Sequence, residues 1–295
     1  MTILAPVTRS PVVRRTLLLA PAMTVIGVFF VGGLAQAVAQ SLGHQPLVGD
    51  SQWSLDAYRS AANDPAVRSS LALTLRIGFL ATTIATVLGV AAALLVRRLG
   101  AGRAWMTGLF QSTLAVPHLV AALCITLLLS PSGSISRLAA TVGVVEDQQD
   151  FPAITQDAFG WGIIAEYVWK ETPFIAVITL AAMGASLSRL EDVSRTLGAG
   201  RWQRLRHVTI PLIAAPVGAA AVLVLAFTMG SYEVPLLLGR PFPAPLSVVT
   251  FQEYSDTDLT ARPRAMAVAV LLAGMTLVVA LLYLLVLRTL GRRRP

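Results

Sequence analysis

Six stretches of this 295-residue chain are apolar over close to, or more than, the roughly 20 residues needed to cross a hydrocarbon core. They run from Leu17 to Val38, Leu71 to Val96, Trp105 to Leu129, Trp161 to Ala185, Leu212 to Met229 and Ala265 to Leu287. With 55% hydrophobic and 13% charged residues, the chain holds more apolar side chain than a soluble core of this size buries, and it holds it in runs rather than alternation. Backbone inside a bilayer must satisfy its own hydrogen bonds, so each run is expected to be a helix. The fold class that follows is an all-α polytopic membrane protein with six transmembrane helices.

Arginines set the expected orientation. Arg9, Arg14 and Arg15 precede the first span, and Arg97, Arg98 and Arg103 separate the second from the third. Arg189, Arg195, Arg201, Arg204 and Arg206 separate the fourth from the fifth, and Arg288, Arg292, Arg293 and Arg294 follow the sixth. The loops on the other side hold Arg59, Arg68, Arg137, Arg240, Arg262 and Arg264 beside most of the acids, including Asp50, Glu146, Asp147, Asp150, Glu253, Asp256 and Asp258. The positive-inside rule then places both termini in the cytoplasm. The net charge of +8 is spread over short membrane-flanking loops, where membrane lipid is its partner, and nucleic-acid binding is not expected.

This gives a cytoplasmic segment over 1–16, a first helix over 17–38, a transmembrane core over 71–287 and a basic tail over 288–295. The first run resembles a signal peptide in its flanking Arg14 and Arg15 and in the small residues of Ala35 to Gln40, but it is longer than a signal core, so an uncleaved span is expected. The single cysteine, Cys124, excludes disulfides within the chain and is expected to be a buried, inert thiol. The outer loops 39–70, 130–160 and 230–264 are rich in Pro, Asp, Ser and Gly and are expected to form ordered caps or short helices.

The inner loop 188–211 is different. Ser188 and Glu191 have capping-box spacing, and Leu190, Val193 and Leu197 recur at helical spacing before Gly198. After Gly200 the pattern resumes with Trp202, Leu205 and Val208, and Pro211 is expected to stop it where the fifth span begins. Two short amphipathic helices at a glycine elbow result. A loop of this composition also suits the bilayer surface, with arginines among headgroups.

The order Asp192-Val193-Ser194, three residues, Gly198, nine residues, Val208-Thr209-Ile210-Pro211 resembles the coupling-loop motif of ATP-binding-cassette importer permeases. That motif reads Glu-Ala-Ala, three residues, Gly, nine residues, Ile-x-Leu-Pro. Gly198 and Pro211 match; Asp192 stands for Glu, with Glu191 one position earlier, and Val-Ser stands for Ala-Ala. Trp169 to Leu187 and Thr74 to Arg98 are similar to further permease spans, so the likeness covers most of 71–287. The resemblance implies a type I importer permease. Its partners would be cytoplasmic ATPase subunits, a second permease subunit, the same or different, and an external solute-binding protein. Glu191, Asp192, Gly198, Ala199, Arg201, Trp202, Leu205 and Pro211 would form the ATPase-docking loop.

The only lysine is Lys170, inside a span, so no Walker A loop is present and any ATP hydrolysis belongs to a partner. No catalytic set, metal ligand cluster or cofactor motif is found, and the chain is read as a pathway subunit rather than an enzyme. Polar groups at membrane depth are the candidate pathway and gate: Glu166, Lys170 and Glu171, with Pro173 expected to kink the helix beside them, and Glu233 at the mouth. Glu166 and Lys170, four apart, form either a structural pair or part of the pathway lining. Arg76 is expected to anchor at the headgroups. His118 is expected to be a packed histidine.

Phe227 to Gly239 is similar to the end of the penultimate span in permeases for polyamines and their relatives, which implies a lean toward a polyamine-type cation. Glu233, Glu253, Asp256 and Asp258 would give a cation a negative mouth, while an anion or a sugar stays open. A secondary transporter or channel working without ATP is the alternative; it has no use for the coupling-loop spacing.

Overall fold

Helix is the only regular structure among the described residues of the computed structural model, which are 11–45, 52–99, 102–146 and 150–292. Most of the expected cytoplasmic segment 1–16, with Arg9, together with Asp50, Asp147, Arg293 and Arg294, lies outside them. In chain order the helices are α1 (Pro11–Ser41), α2 (Asp56–Asn63), α3 (Pro65–Val96), α4 (Gly102–Leu114), α5 (His118–Leu129), α6 (Ser134–Thr141) and α7 (Trp161–Ala182). There follow α8 (Ala185–Thr196), α9 (Arg201–Arg204), α10 (Ile210–Gly230), α11 (Glu233–Leu238), α12 (Leu246–Tyr254) and α13 (Arg262–Arg292). A π-helical turn, Leu205–Thr209, joins α9 to α10. Among the described residues, five stretches are long and apolar enough to cross a membrane, and a sixth if α7 and the bent α8 are one span.

The chain divides into two units. The first holds the described residues of Met1–Asn63 and Glu253–Val270. In it, the most apolar part of α1 has no buried residue, and Phe29 and Phe30 are 76% and 70% exposed, as suits a helix solvated by lipid. Its end is fixed by Ser41 Oγ, 2.7 Å from the Tyr58 hydroxyl, and by Ser54 N–H donating to the Leu42 carbonyl.

The second unit comprises Asp64–Gln252 and Leu271–Pro295 and carries the functional candidates. Asp64 caps α3 by accepting from Ala66 N–H, with Pro65 in the first turn where its missing donor costs nothing. α3 then repeats small buried residues every fourth position, Ala81, Ala85, Gly89 and Ala93, which lets α7 approach closely. The tightest point is Gly89, where an added Cβ would lie 2.6 Å from Ile175 Cβ and 2.9 Å from the Thr172 carbonyl oxygen. Because backbone cannot yield there, Gly89→Ala is expected to destabilise by about 1–3 kcal/mol despite the better helix propensity of alanine. Thermal unfolding of the purified protein tests it, with Gly108→Ala, which meets nothing within 4 Å, as the harmless control.

α7 starts where the sequence predicts, because Asp157 accepts from the N–H groups of Phe159, Gly160 and Trp161 at 2.8, 2.9 and 2.7 Å. Its upper half packs with α3, α5 and α11 around Tyr167, Ile163 and Ile77; its lower half packs with α8 and α10 around Ile175, Leu187 and Val224. Pro173 is buried within a continuous α7. The outer loops form short helices, α2, α6 and α12, as expected.

Four expectations need correcting. The run Trp105 to Leu129 is not one helix: it breaks over 115–117, because Pro117 has no N–H to continue the ladder of α4. Ser188 and Glu191 form no capping box, since α8 begins three residues earlier at Ala185 and Glu191 is engaged elsewhere. Pro211 does not stop a helix; the preceding π turn, closed by Ile210 N–H donating to Leu205 O, makes room for the proline ring and carries the chain straight into α10. Cys124 is exposed rather than buried, on a helix apolar enough for its outer face to meet lipid.

Candidate solute pathway and coupling loop

The break between α4 and α5 leaves the Val116 carbonyl without a helical donor and the Thr113 carbonyl with only a turn bond from Val116 N–H at 3.2 Å. Lys170 supplies them: its Nζ donates to the Thr113 carbonyl at 2.8 Å and to the Val116 carbonyl at 2.6 Å. The lysine is 4% exposed, so its charge is carried by those dipoles and by the acids nearby. Those acids meet at His118, the first residue of α5. Its Nδ1 lies 3.0 Å from Glu166 Oε1 and its Nε2 3.5 Å from Glu171 Oε1.

The i, i+4 pair of Glu166 and Lys170 therefore does not form as a direct contact. Each turns instead to the broken helix, Glu166 to its imidazole and Lys170 to its carbonyls. Glu166 is fully buried, and its Oε2 has no hydrogen-bond partner among the described residues.

His118 also packs against Phe227, with ring centres 4.7 Å apart, and borders two cavities. One, of about 410 Å³, is walled by the 114–117 break, Lys170, Glu171 and Phe174. The other, of about 480 Å³, is walled by Phe227, Ser231, Tyr232 and Glu233. The expected pathway residues Glu166, Lys170 and Glu171 are thus gathered at the break, Glu233 lines the neighbouring cavity, and Pro173 lies in the α7 core. His118, expected only as a packed histidine, also joins Glu166 and Glu171, and a Pro-His pair in the middle of an apolar run was the signal. Arg76, read as a headgroup anchor, stacks over the Phe159 ring at 4.6 Å.

The second site is the loop itself. α8 ends in a Schellman motif: Gly198 N–H donates to Arg195 O and Ala199 N–H to Ser194 O, both at 3.0 Å, with Gly198 at φ +81°. Gln203 Oε1 accepts from Gly200 N–H at 2.8 Å and starts α9. Arg97, at the end of α3, donates through both Nη atoms to Glu191 at 2.8 and 2.6 Å, and Thr209 Oγ1 donates to the same carboxylate at 2.8 Å. One acid therefore clasps α3, α8 and the π turn. Asp192, which occupies the motif position, makes only an exposed contact with Arg195 at 3.7 Å.

Hydrogen bonds from Arg97, then from Thr209, hold the Glu191 carboxyl below its ordinary value. A depressed carboxylate contributes stability above its unfolded pKa and loses it as pH falls through the folded value. Glu191→Gln is expected to cost about 2 kcal/mol at pH 7, and that difference from wild type should shrink below about pH 4. Melting curves of both proteins across that range check it.

Leu190, Val193 and Leu197 are 48%, 57% and 81% exposed and share one face of α8; Trp202 is 69% exposed on α9. A family model described as "Binding-protein-dependent transport system inner membrane component" matches residues 85–294. The chain belongs to this permease family.

The permease is 28% identical over 272 residues to the putative 2-aminoethylphosphonate transport system permease protein PhnV of Salmonella typhimurium (strain LT2), covering 90% of this chain and 92% of that protein. It is 27% identical to the inner membrane ABC transporter permease protein YnjC of Escherichia coli (strain K12), over 82% of this chain but only 45% of YnjC. Among solved structures, a bacterial alginate ABC transporter in complex with an alginate pentasaccharide-bound periplasmic protein matches with a TM-score of 0.76 at 18% identity, covering 95% of this chain and 96% of that one. These likenesses fix the fold as that of an ABC importer permease and place the chain among multi-pass inner-membrane components.

Proposed function

We propose that this permease forms half of the translocation pathway of an ATP-driven importer, with both termini cytoplasmic, and receives its solute from an external binding protein. The carrying observation is the apolar stripe of Leu190, Val193 and Leu197, exposed on a loop that has importer coupling-loop spacing. A loop held by the Glu191 clasp but leaving its largest apolar side chains uncovered suits a partner's groove, and a cytoplasmic ATPase is that partner. Hydrolysis would be the ATPase's work, since this chain's one lysine is occupied by Thr113 and Val116. The α4–α5 break would line the pathway, in keeping with the use of broken helices around solutes in other transporters.

For the solute we infer a small polar molecule bearing an amino group, of which a polyamine-type cation is one kind. Glu171 and Glu233 line the two cavities at His118, and Glu166 keeps a buried oxygen without a donor among the described residues. The relatives differ in their named solutes: 2-aminoethylphosphonate for the Salmonella protein and trehalose for SugA of Mycobacterium tuberculosis, 32% identical over 49% of this chain. The permease, its ATPase and its second subunit, reconstituted in vesicles, provide the test. ATP hydrolysis should rise with binding protein loaded with an amine such as spermidine or 2-aminoethylphosphonate, and not with trehalose. Failure of the ATPase to co-purify, or solute uptake without ATP, would favour a secondary transporter.

A further inference from the structure

We propose that the cavity behind the coupling loop is a binding site for a phosphate group. It measures about 620 Å³ and is walled by Arg97, Arg98, Arg195, Arg201 and Arg204 with a single acid, Glu191. That acid is already spent, bound at both oxygens by Arg97 and again by Thr209. Arg98 and Arg201 have no carboxylate partner among the described residues, and the Arg195 contact with Asp192 is long and exposed. Several guanidinium groups around one hollow repel one another unless an anion sits among them. Their planar forks match phosphate oxygens better than a point charge does.

The remaining wall is apolar: Leu94 from the last turn of α3, Leu205 and Trp202. A phosphate carrying an apolar or aromatic body fits it, and the position at the end of a spanning helix is the level of lipid headgroups. Two sources share this chemistry, an anionic phospholipid and a free phosphorylated solute. The site shares Glu191, Arg201, Trp202 and Leu205 with the expected docking loop but faces away from the apolar stripe proposed to meet the ATPase. Glu191 and Arg195, four residues apart, present one face of α8 to the cavity, while Leu190, Val193 and Leu197 lie along another.

The test uses the complete transporter, with ATPase and second permease, in phosphatidylcholine nanodiscs. Emission from Trp202 is taken as the difference between wild type and Trp202→Phe. One arm adds brominated phosphatidylglycerol against brominated phosphatidylcholine; the other adds inorganic phosphate. If lipid is the source, the anionic lipid should quench Trp202 at a mole fraction on the order of tenfold lower than the zwitterionic one, and Arg98→Gln with Arg201→Gln should erase that preference. If a free phosphorylated solute is the source, phosphate should give a saturable change that the same double variant loses, with no lipid preference.

Either response should weaken in 1 M salt. Equal quenching by both lipids together with no phosphate response, or responses unchanged in the double variant, would overturn the proposal. If that variant fails to accumulate, Arg201→Gln and the wild-type salt series decide, and a salt-insensitive signal counts against it. ATPase co-purification is followed in parallel, so that loss of docking with intact phosphate binding counts against the coupling reading alone.

Discussion

Lys170→Met is expected to remove most folded permease from the membrane and all transport. The substitution keeps the volume but removes the ammonium that both carbonyls receive, leaving Val116 O without its donor and Thr113 O with only the turn bond from Val116 N–H at 3.2 Å. It also strips a neighbouring positive charge from Glu166 and Glu171. Removing one partner from a buried charged arrangement costs about 3–5 kcal/mol, a large part of any domain's stability. The amount of protein surviving detergent extraction and its melting temperature measure this. Reversing both charges, with Glu166→Lys and Lys170→Glu, should not restore either quantity: a lysine at 166 would face the His118 imidazole and a glutamate at 170 would face two carbonyl oxygens. Recovery to wild-type level in that double variant would mean the two side chains act directly on each other.

Gly198→Val should have a different signature, with normal insertion and lost coupling. An added Cβ at Gly198 meets nothing within 4 Å, so the cost is not a clash. It is the φ of +81°, which a β-branched residue resists by about 1–3 kcal/mol. The loop would open at its elbow and turn the Leu190 stripe away from its partner, while α7 and α10 stay packed. Stimulated ATP hydrolysis should fall at least about tenfold with unchanged permease abundance. Gly198→Asn should keep most of the activity, because asparagine tolerates the left-handed region. Unchanged hydrolysis in the valine variant would make this loop a membrane-surface element. Trp202 lines the arginine cavity rather than the stripe, so Trp202→Ala should disturb docking far less than Leu197→Glu.

The apolar helices, apart from the third, and the glycine elbow were legible because each rests on local chemistry: hydrophobic length and a residue that alone accepts positive φ. The break at 115–117 carried a visible proline, yet the hydropathy of the run hid it, and only the lysine two helices away explains how a broken helix stays in an apolar setting. The partner of Lys170 could not be read from its neighbours in sequence, since Glu166 one turn away was the nearer guess and backbone carbonyls have no sequence signature. Likewise Glu191 rather than Asp192 holds the loop, because the geometry is decided by Arg97, 94 residues away. Long-range polar contacts are what local pattern leaves out.

The lysine at the break grips main chain rather than side chain. Every residue offers a carbonyl, so the identities at 113 and 116 are free to drift as long as the helix stops where it does. Change at 170 is not free. Homologous chains should therefore show an invariant cation on one helix opposite a variable pair on another, a pattern that methods based on paired substitutions would pass over. Thr113→Val and Val116→Ala, made separately, should leave expression and uptake close to wild type, in contrast to any loss of the ammonium they receive.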